Sequence, residues 1–127
     1  MTGKYGTLLI AESGSELAGA LRPWLRESGH QLISVHNIRD VLLTIQNEKV
    51  NVVVFDSSLQ EPMDYESISL IKGLKSRLPI IVTADENNAV MESRIRRKGI
   101  FYYHVKSFGT DELVLAVSNA MSRSAPF

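Results

Sequence analysis

The chain of 127 residues contains no cysteine. Disulfides, thiolate metal sites and thiol nucleophiles are thereby excluded, and the absence is compatible with a reducing cytoplasm. Excess charge is missing too: fourteen Lys and Arg against fourteen Asp and Glu give a formal net charge of +0, so no global field steers the chain toward nucleic acid or an anionic membrane. Apolar runs are short, and Met1-Thr2-Gly3-Lys4 is not followed by a signal-peptide core, so the expectation is a cytoplasmic, unprocessed protein with no membrane association. Glu12-Ser13-Gly14-Ser15 fits neither the dinucleotide fingerprint nor the Walker pattern, which ranks nucleotide-binding enzymes low. His30, His36 and His104 are scattered singly, without triad or zinc spacing. What remains, 44% hydrophobic and 22% charged residues, is the composition of an ordinary globular domain. A single domain over 1–127 is expected, burying about two thirds of its unfolded surface.

Short β-rich runs alternate with segments of helical period five times. The strands are Thr7 to Ala11, Gln31 to Val35 (a half-buried edge), Asn51 to Asp56, Pro79 to Thr83 and Phe101 to Lys106. The first helix shows Leu17, Leu21, Trp24, Leu25 and Ser28 on one face and stops at Gly29. The second shows Ile38, Val41, Leu42 and Ile45 and is capped by Asn37 with Asp40 three residues on. The third turns Ile68, Ile71 and Leu74 inward, and Pro79 marks the return to strand. The fourth runs from about Glu86 to Lys98 and ends at Gly99, with Arg94, Arg96, Arg97 and Lys98 suiting the macrodipole at its C-terminus. The fifth, after Gly109, buries Leu113, Ala116, Val117, Ala120 and Met121, and the tail from Ser122 frays.

This alternation predicts an α/β fold: an open, doubly wound, five-stranded parallel sheet with right-handed crossovers and strand order 2-1-3-4-5. In such a sheet every strand's C-terminal end points to one edge, where ligands bind. Asp56, Thr83 and Lys106 end three of the runs, so a carboxylate, a hydroxyl and an ammonium converge there, a set suited to phosphoryl chemistry. Glu12 and Ser13, just past the first strand, fall beside Asp56 at the switch point.

These residues, in this order, resemble a response-regulator receiver domain, the CheY-like, flavodoxin-like (βα)5 phosphoacceptor of two-component signalling, over the full length of the chain. Asp56 stands at that family's phosphorylated aspartate, Thr83-Ala84 at its switch hydroxyl, Lys106 at its invariant lysine, and Phe108 with Glu112-Leu113 at the pattern after that lysine. Tyr103 falls at the aromatic position whose rotation accompanies activation, and Glu12 at the first of the acidic pair. The chain departs from the family at Ser13, where a second magnesium-ligating acid normally stands, and at Ser107, where proline usually follows the lysine. The loop from Asp56 also runs one residue long to Met63-Asp64, with Tyr65 in the usual glycine's place.

The resemblance implies a signalling module rather than an enzyme. Asp56 would take a phosphoryl group from a histidine kinase or phosphotransfer protein, assisted by Lys106, Thr83 and a weakly held Mg2+ on Glu12 and Asp56. The face of helix four, strand five and helix five, including Met91, Arg94, Ile100 and Tyr103, would meet an effector or a second copy. No direct nucleic-acid contact is expected. Plainer readings stand beside these. Ser13 and Glu16 form a Ser-x-x-Glu capping box, Asp56 and Lys106 are a structural ion pair, Thr83 ends a strand, and Tyr103 packs half-buried with a wet hydroxyl while Tyr102 faces the opposite side. The alternative function is then a pseudo-receiver, a phosphorylation-independent protein interaction module. A flavodoxin-like FMN carrier shares the topology but ill suits an edge bearing Glu12, Asp56 and Lys106.

Overall fold

The structure is a computed structural model and describes residues 5–59 and 65–124. The loop expectation at Met63-Asp64 lies outside the described residues. Five strands, β1 (Thr7–Ala11), β2 (Gln31–Val35), β3 (Val52–Asp56), β4 (Ile80–Ala84) and β5 (Tyr102–Val105), alternate with α1 (Glu16–Ser28), α2 (Ile38–Asn47), α3 (Tyr65–Leu74), α4 (Ala89–Arg96) and α5 (Thr110–Ser124). All strand pairs are parallel, in the order β2-β1-β3-β4-β5. The architecture is the one the alternation predicts.

Two apolar layers sandwich the sheet, and strand alternation assigns residues to them. Val53 and Phe55 of β3 join the layer toward α2 and α3, with Leu9, Ala11, Val41, Ile68 and Ile71. Val52 and Val54 join the opposite layer, with Leu8, Ile10, Leu17, Leu21, Val117 and Ala120 of the α1 and α5 side. Every residue of β3 and β4 is buried, as expected of central strands covered on both faces. Phe55 is fully buried, so truncation to alanine costs about 3–5 kcal/mol. The edge strand β2 is only half-covered.

The same parity positions the chemistry. Since Leu8 and Ile10, Val52 and Val54, Ile81, and Tyr102 all face α1 and α5, the next residues in step, Glu12, Asp56, Thr83 and Lys106, emerge on that face. Tyr103 belongs to the other layer, opposite Tyr102 as expected. Register adds depth: Asp56 pairs with Thr83, and Thr83 with His104.

Helix ends show where local signals were read well and where they were not. Gly29 closes α1 with φ 80°, a left-handed conformation that glycine adopts without Cβ strain, and Asn37 accepts from the Asp40 backbone N–H at 2.8 Å. Helix α4 corrects the expectation of Glu86 to Lys98. It begins three residues later because the Asn88 side chain accepts from the Met91 N–H, and it ends at Arg96, followed by the turn into Gly99. Helix α5 continues through Ser124, past the expected fraying point at Ser122. Leu74, expected inward, is 40% exposed, at the last position of α3.

Candidate functional site

Asp56 ends the central strand with its side chain 1% exposed. Its Oδ1 accepts from Thr83 Oγ1 at 2.5 Å and from Lys106 Nζ at 2.9 Å. Its Oδ2 accepts from the Ser58 backbone N–H at 3.1 Å and from the Ser58 hydroxyl in a short bond. A carboxylate offers about four acceptor positions, so Asp56 is saturated. Burial pushes its carboxyl up, but the bonds from Ser58, Thr83 and Lys106, together with the Lys106 charge, outweigh burial and hold it below the usual carboxylate value. Burial lowers Lys106, yet Asp56 and then Asp85 overcome this and raise its ammonium above the ordinary lysine value. Both groups are charged at neutral pH.

Around this centre the structure adds Asp85 and Ser58, which sequence reasoning missed, and gives Glu16 a partner other than the cap expected of it. Asp85 Oδ1 lies 3.3 Å from Lys106 Nζ and Glu16 Oε1 lies 3.6 Å from it. Both acids are largely exposed, so each contributes well under about 1 kcal/mol. Ser58 sits in the 3-10 turn Ser57–Leu59 that follows β3. Its hydroxyl is bridged outward, accepting from Ser13 Oγ at 3.1 Å. The only hint in the sequence was a serine two positions after a strand-end aspartate, the spacing at which a hydroxyl bonds back locally.

Glu12 takes a different course from the one expected. It is 2% exposed, and its two carboxylate oxygens accept from the backbone N–H groups of Leu17 at 2.9 Å and Ala18 at 3.0 Å. It satisfies two of the free donors at the start of α1 and places negative charge at the positive end of that helix. The expected Ser13-x-x-Glu16 capping box is not formed: the N-cap is Ser15 with no side-chain bond, Ser13 bonds Ser58, and Glu16 reaches Lys106. Glu does the capping because its longer side chain reaches the helix from the strand end, a position Ser13 leaves by turning to the β3 loop.

Tyr103 is 4% exposed, with its hydroxyl 3.9 Å from Met91 Sδ on α4. It is buried more deeply than the half-buried reading supposed, and so is not itself a surface contact, whereas Arg94 is exposed and Met91 and Ile100 are half-buried. His104 is 2% exposed, and its Nδ1 makes no hydrogen bond and stands 3.5 Å from Glu112 Oε1, which accepts from Tyr102 Oη at 2.7 Å. Burial lowers His104, against the pull of Glu112. A cleft of about 630 Å³, lined in part by Lys49, Lys75, Arg77 and Arg123, lies at the opposite edge of the sheet. Asp56 stands instead at the C-terminal end of its strand.

A buried aspartate at the end of the third strand is thus bonded by a threonine near the end of the fourth and a lysine following the fifth, which gathers a carboxylate, a hydroxyl and an ammonium at one sheet edge. The family model for the response regulator receiver domain matches residues 8–118, and the chain belongs to that family, the receiver domains of two-component response regulators. It is 23% identical over 120 residues to the DNA-binding transcriptional regulator NtrC of Azospirillum brasilense, covering 94% of this chain and 25% of that one. It is 30% identical over 115 residues to the transcriptional regulatory protein YbdJ of Bacillus subtilis, covering 90% of this chain and 50% of that one. Among solved structures, a CheY-like receiver domain protein from Methanospirillum hungatei superposes with a TM-score of 0.82 at 16% identity, covering 94% of this chain and 96% of that one. The chain spans a quarter to a half of the length of these two curated relatives.

Receiver domains typically bind Mg2+ in an acidic pocket. The residues here do not fit that ion as they are arranged. Glu12 has both oxygens bonded to the helix, Ser13 brings a hydroxyl instead of a carboxylate, and Asp56 has its acceptor positions filled. Among the described residues, no group of three or more His, Asp or Glu side chains is placed to hold a metal. No helix among the described residues is long and apolar enough to cross a membrane.

Proposed function

We propose that this receiver domain accepts a phosphoryl group on Asp56 from a phosphohistidine of a kinase or phosphotransfer protein. The observation that carries the reading is the convergence of Lys106 Nζ and Thr83 Oγ1 on one oxygen of Asp56. A carboxylate oxygen of Asp56 attacks phosphorus, a P–O bond forms, the P–N bond breaks, and the histidine nitrogen keeps the electron pair. Asp56 needs no base, because it is ionised at neutral pH. The ammonium of Lys106 and the hydroxyls of Thr83 and Ser58 then turn to the new phosphoryl oxygens. Thr83 moves toward the phosphoryl group, Tyr103 shifts against Met91, and the face of α4, β5 and α5 changes its affinity for an effector or a second copy. This is a population shift driven by contacts that differ between two states. The domain supplies the switch; a DNA-directed output such as that named for NtrC would belong to another part of a longer regulator.

The test is intact mass after incubation with a small-molecule phosphodonor, with Asp56→Asn in parallel. A gain of one phosphoryl group in the parent alone is expected. The same gain in the variant would move the site elsewhere. A second reading, the pseudo-receiver that binds partners through the same face without phosphorylation, is favoured by the saturation of Asp56 and by Ser13. It predicts no gain under any donor, with partner binding unchanged in Asp56→Asn.

A further inference from the structure

We infer that Ser13 and Ser58 form a hydroxyl latch which takes the divalent cation's place at Asp56, so that the resting pocket is closed by hydrogen bonds rather than by a metal. This deepens the phosphoacceptor reading and rests on it only in taking the same site at Asp56.

The latch is a directed chain. The Ser13 hydroxyl donates to Ser58 Oγ at 3.1 Å, and the Ser58 hydroxyl donates in turn to Asp56 Oδ2, which the Ser58 backbone N–H also reaches at 3.1 Å. The remaining oxygen of Asp56 is occupied by Thr83 and Lys106. A cation approaching Asp56 would have to displace a donor from each bond it replaced. The second carboxylate that could repay this, Glu12, is held by Leu17 and Ala18, and freeing it would expose two buried N–H groups of α1. Divalent magnesium dehydrates reluctantly and asks for near-octahedral oxygen ligands, whereas hydroxyl protons supply compensation to a buried carboxylate with no ion to bind. The two serines are therefore coupled. Restoring an acid at 13 while Ser58 still covers Oδ2 gives the ion a second carboxylate but no open place on the first. Removing Ser58 alone opens Asp56 but leaves one carboxylate. Both changes are needed to make a cation site.

The experiment is a titration of full chain with Mg2+ alone, followed by backbone amide NMR shifts and calorimetry, on the parent, Ser13→Asp, Ser58→Ala and the double variant. The expected result is no saturable binding near Asp56 in the parent up to about 10 mM, gains of no more than about threefold in either single variant, and a gain of at least about tenfold beyond their product in the double variant, the non-additivity that marks groups acting as a unit. Sub-millimolar binding by the parent with shifts at Ser58, or a full gain from Ser13→Asp alone, would overturn the latch. Ser58→Gly is a second variant that opens Oδ2 should Ser58→Ala perturb the turn, and the 3-10 turn's amide shifts report whether it does. The titration reads metal directly, so absence of phosphorylation in every variant would sink the phosphoacceptor reading while leaving the latch standing. A latch that fails the titration leaves phosphorylation of Asp56 to be judged by mass alone.

Discussion

Glu12 and Asp56 are both buried carboxylates just past or at the end of adjacent strands, yet their surroundings have opposite character. Glu12 accepts from two backbone N–H groups that cannot leave without unwinding α1. Asp56 accepts from an ammonium and two hydroxyls on side chains, together with one backbone N–H of the adjoining turn. Burial alone does not tell the two acids apart; the partners do. Backbone donors fix a carboxylate as part of a helix, whereas side-chain donors can follow a charge that is transferred onto it.

The sharpest break in this comparison is removal of Glu12. Glu12→Ala leaves the Leu17 and Ala18 N–H groups without acceptors at the sheet edge and is expected to cost about 2–3 kcal/mol in urea unfolding with unchanged m. A cost under about 1 kcal/mol would show that water replaces the cap freely. Next in size is Lys106→Met, which leaves Asp56 ionised without its nearest cation and is expected to cost about 2 kcal/mol at pH 7. The folded carboxyl of Asp56 lies below its unfolded value of 3.8. Its stabilisation is therefore complete above about 3.8 and is lost as pH falls through the lower folded value. In Lys106→Met that folded value rises, so the deficit against the parent shrinks as acid protonates Asp56. An undiminished deficit at pH 3 would assign the effect to packing.

Smaller still, Asp56→Asn is expected to change stability by less than about 1 kcal/mol, since Lys106 retains Asp85 and Glu16 and the Thr83 and Ser58 hydroxyls can reorient toward an amide. A loss as large as that of Glu12→Ala would erase the distinction between the two acids. The smallest effect belongs to His104. Burial holds it below its unfolded value of 6.5, so the unfolded chain binds the extra proton and stability falls as pH drops through 6.5. Partial relief comes from Glu112 and opposition from Lys106. His104→Leu should flatten that segment of the pH profile, followed by thermal unfolding.

The difference between Glu12 and Asp56 also marks how far the sequence could be read. Alternation along β1, β3, β4 and β5 carried both the topology and the common face of Asp56, Thr83 and Lys106, because period-two parity is a property of adjacent residues. Backbone-directed bonds were harder. Ser13 and Glu16 match a capping box by spacing, but the strand ends two residues before Ser13, at Ala11, and Glu12 reaches the helix first. Ser58 and Asp85 stand where no periodicity applies, Ser58 in the turn two residues past Asp56 and Asp85 immediately after β4. The start of α4 was misplaced for a related reason: Glu86 and Asn87 suit a helix as well as a loop, and only the bond from Met91 to Asn88 decides. Tyr103 was placed on the correct side of β5 but at the wrong depth, since burial depends on how closely α4 packs over it.

The two anchors flanking the β4–α4 connection act as the ends of a short rope. Asp85 is held by Lys106 at 3.3 Å, and Asn88 holds the first turn of α4 through Met91 at 3.0 Å. Three Cα steps separate them, a span of at most about 10–11 Å when fully drawn out. Slack in so short a line is small, so a lysine drawn away from Asp85 either drops its end of the rope or tugs the first turn of a helix only eight residues long. Distance between the charge at the sheet edge and the helix it would move is thus set by chain length, as leverage is set by the length of an arm.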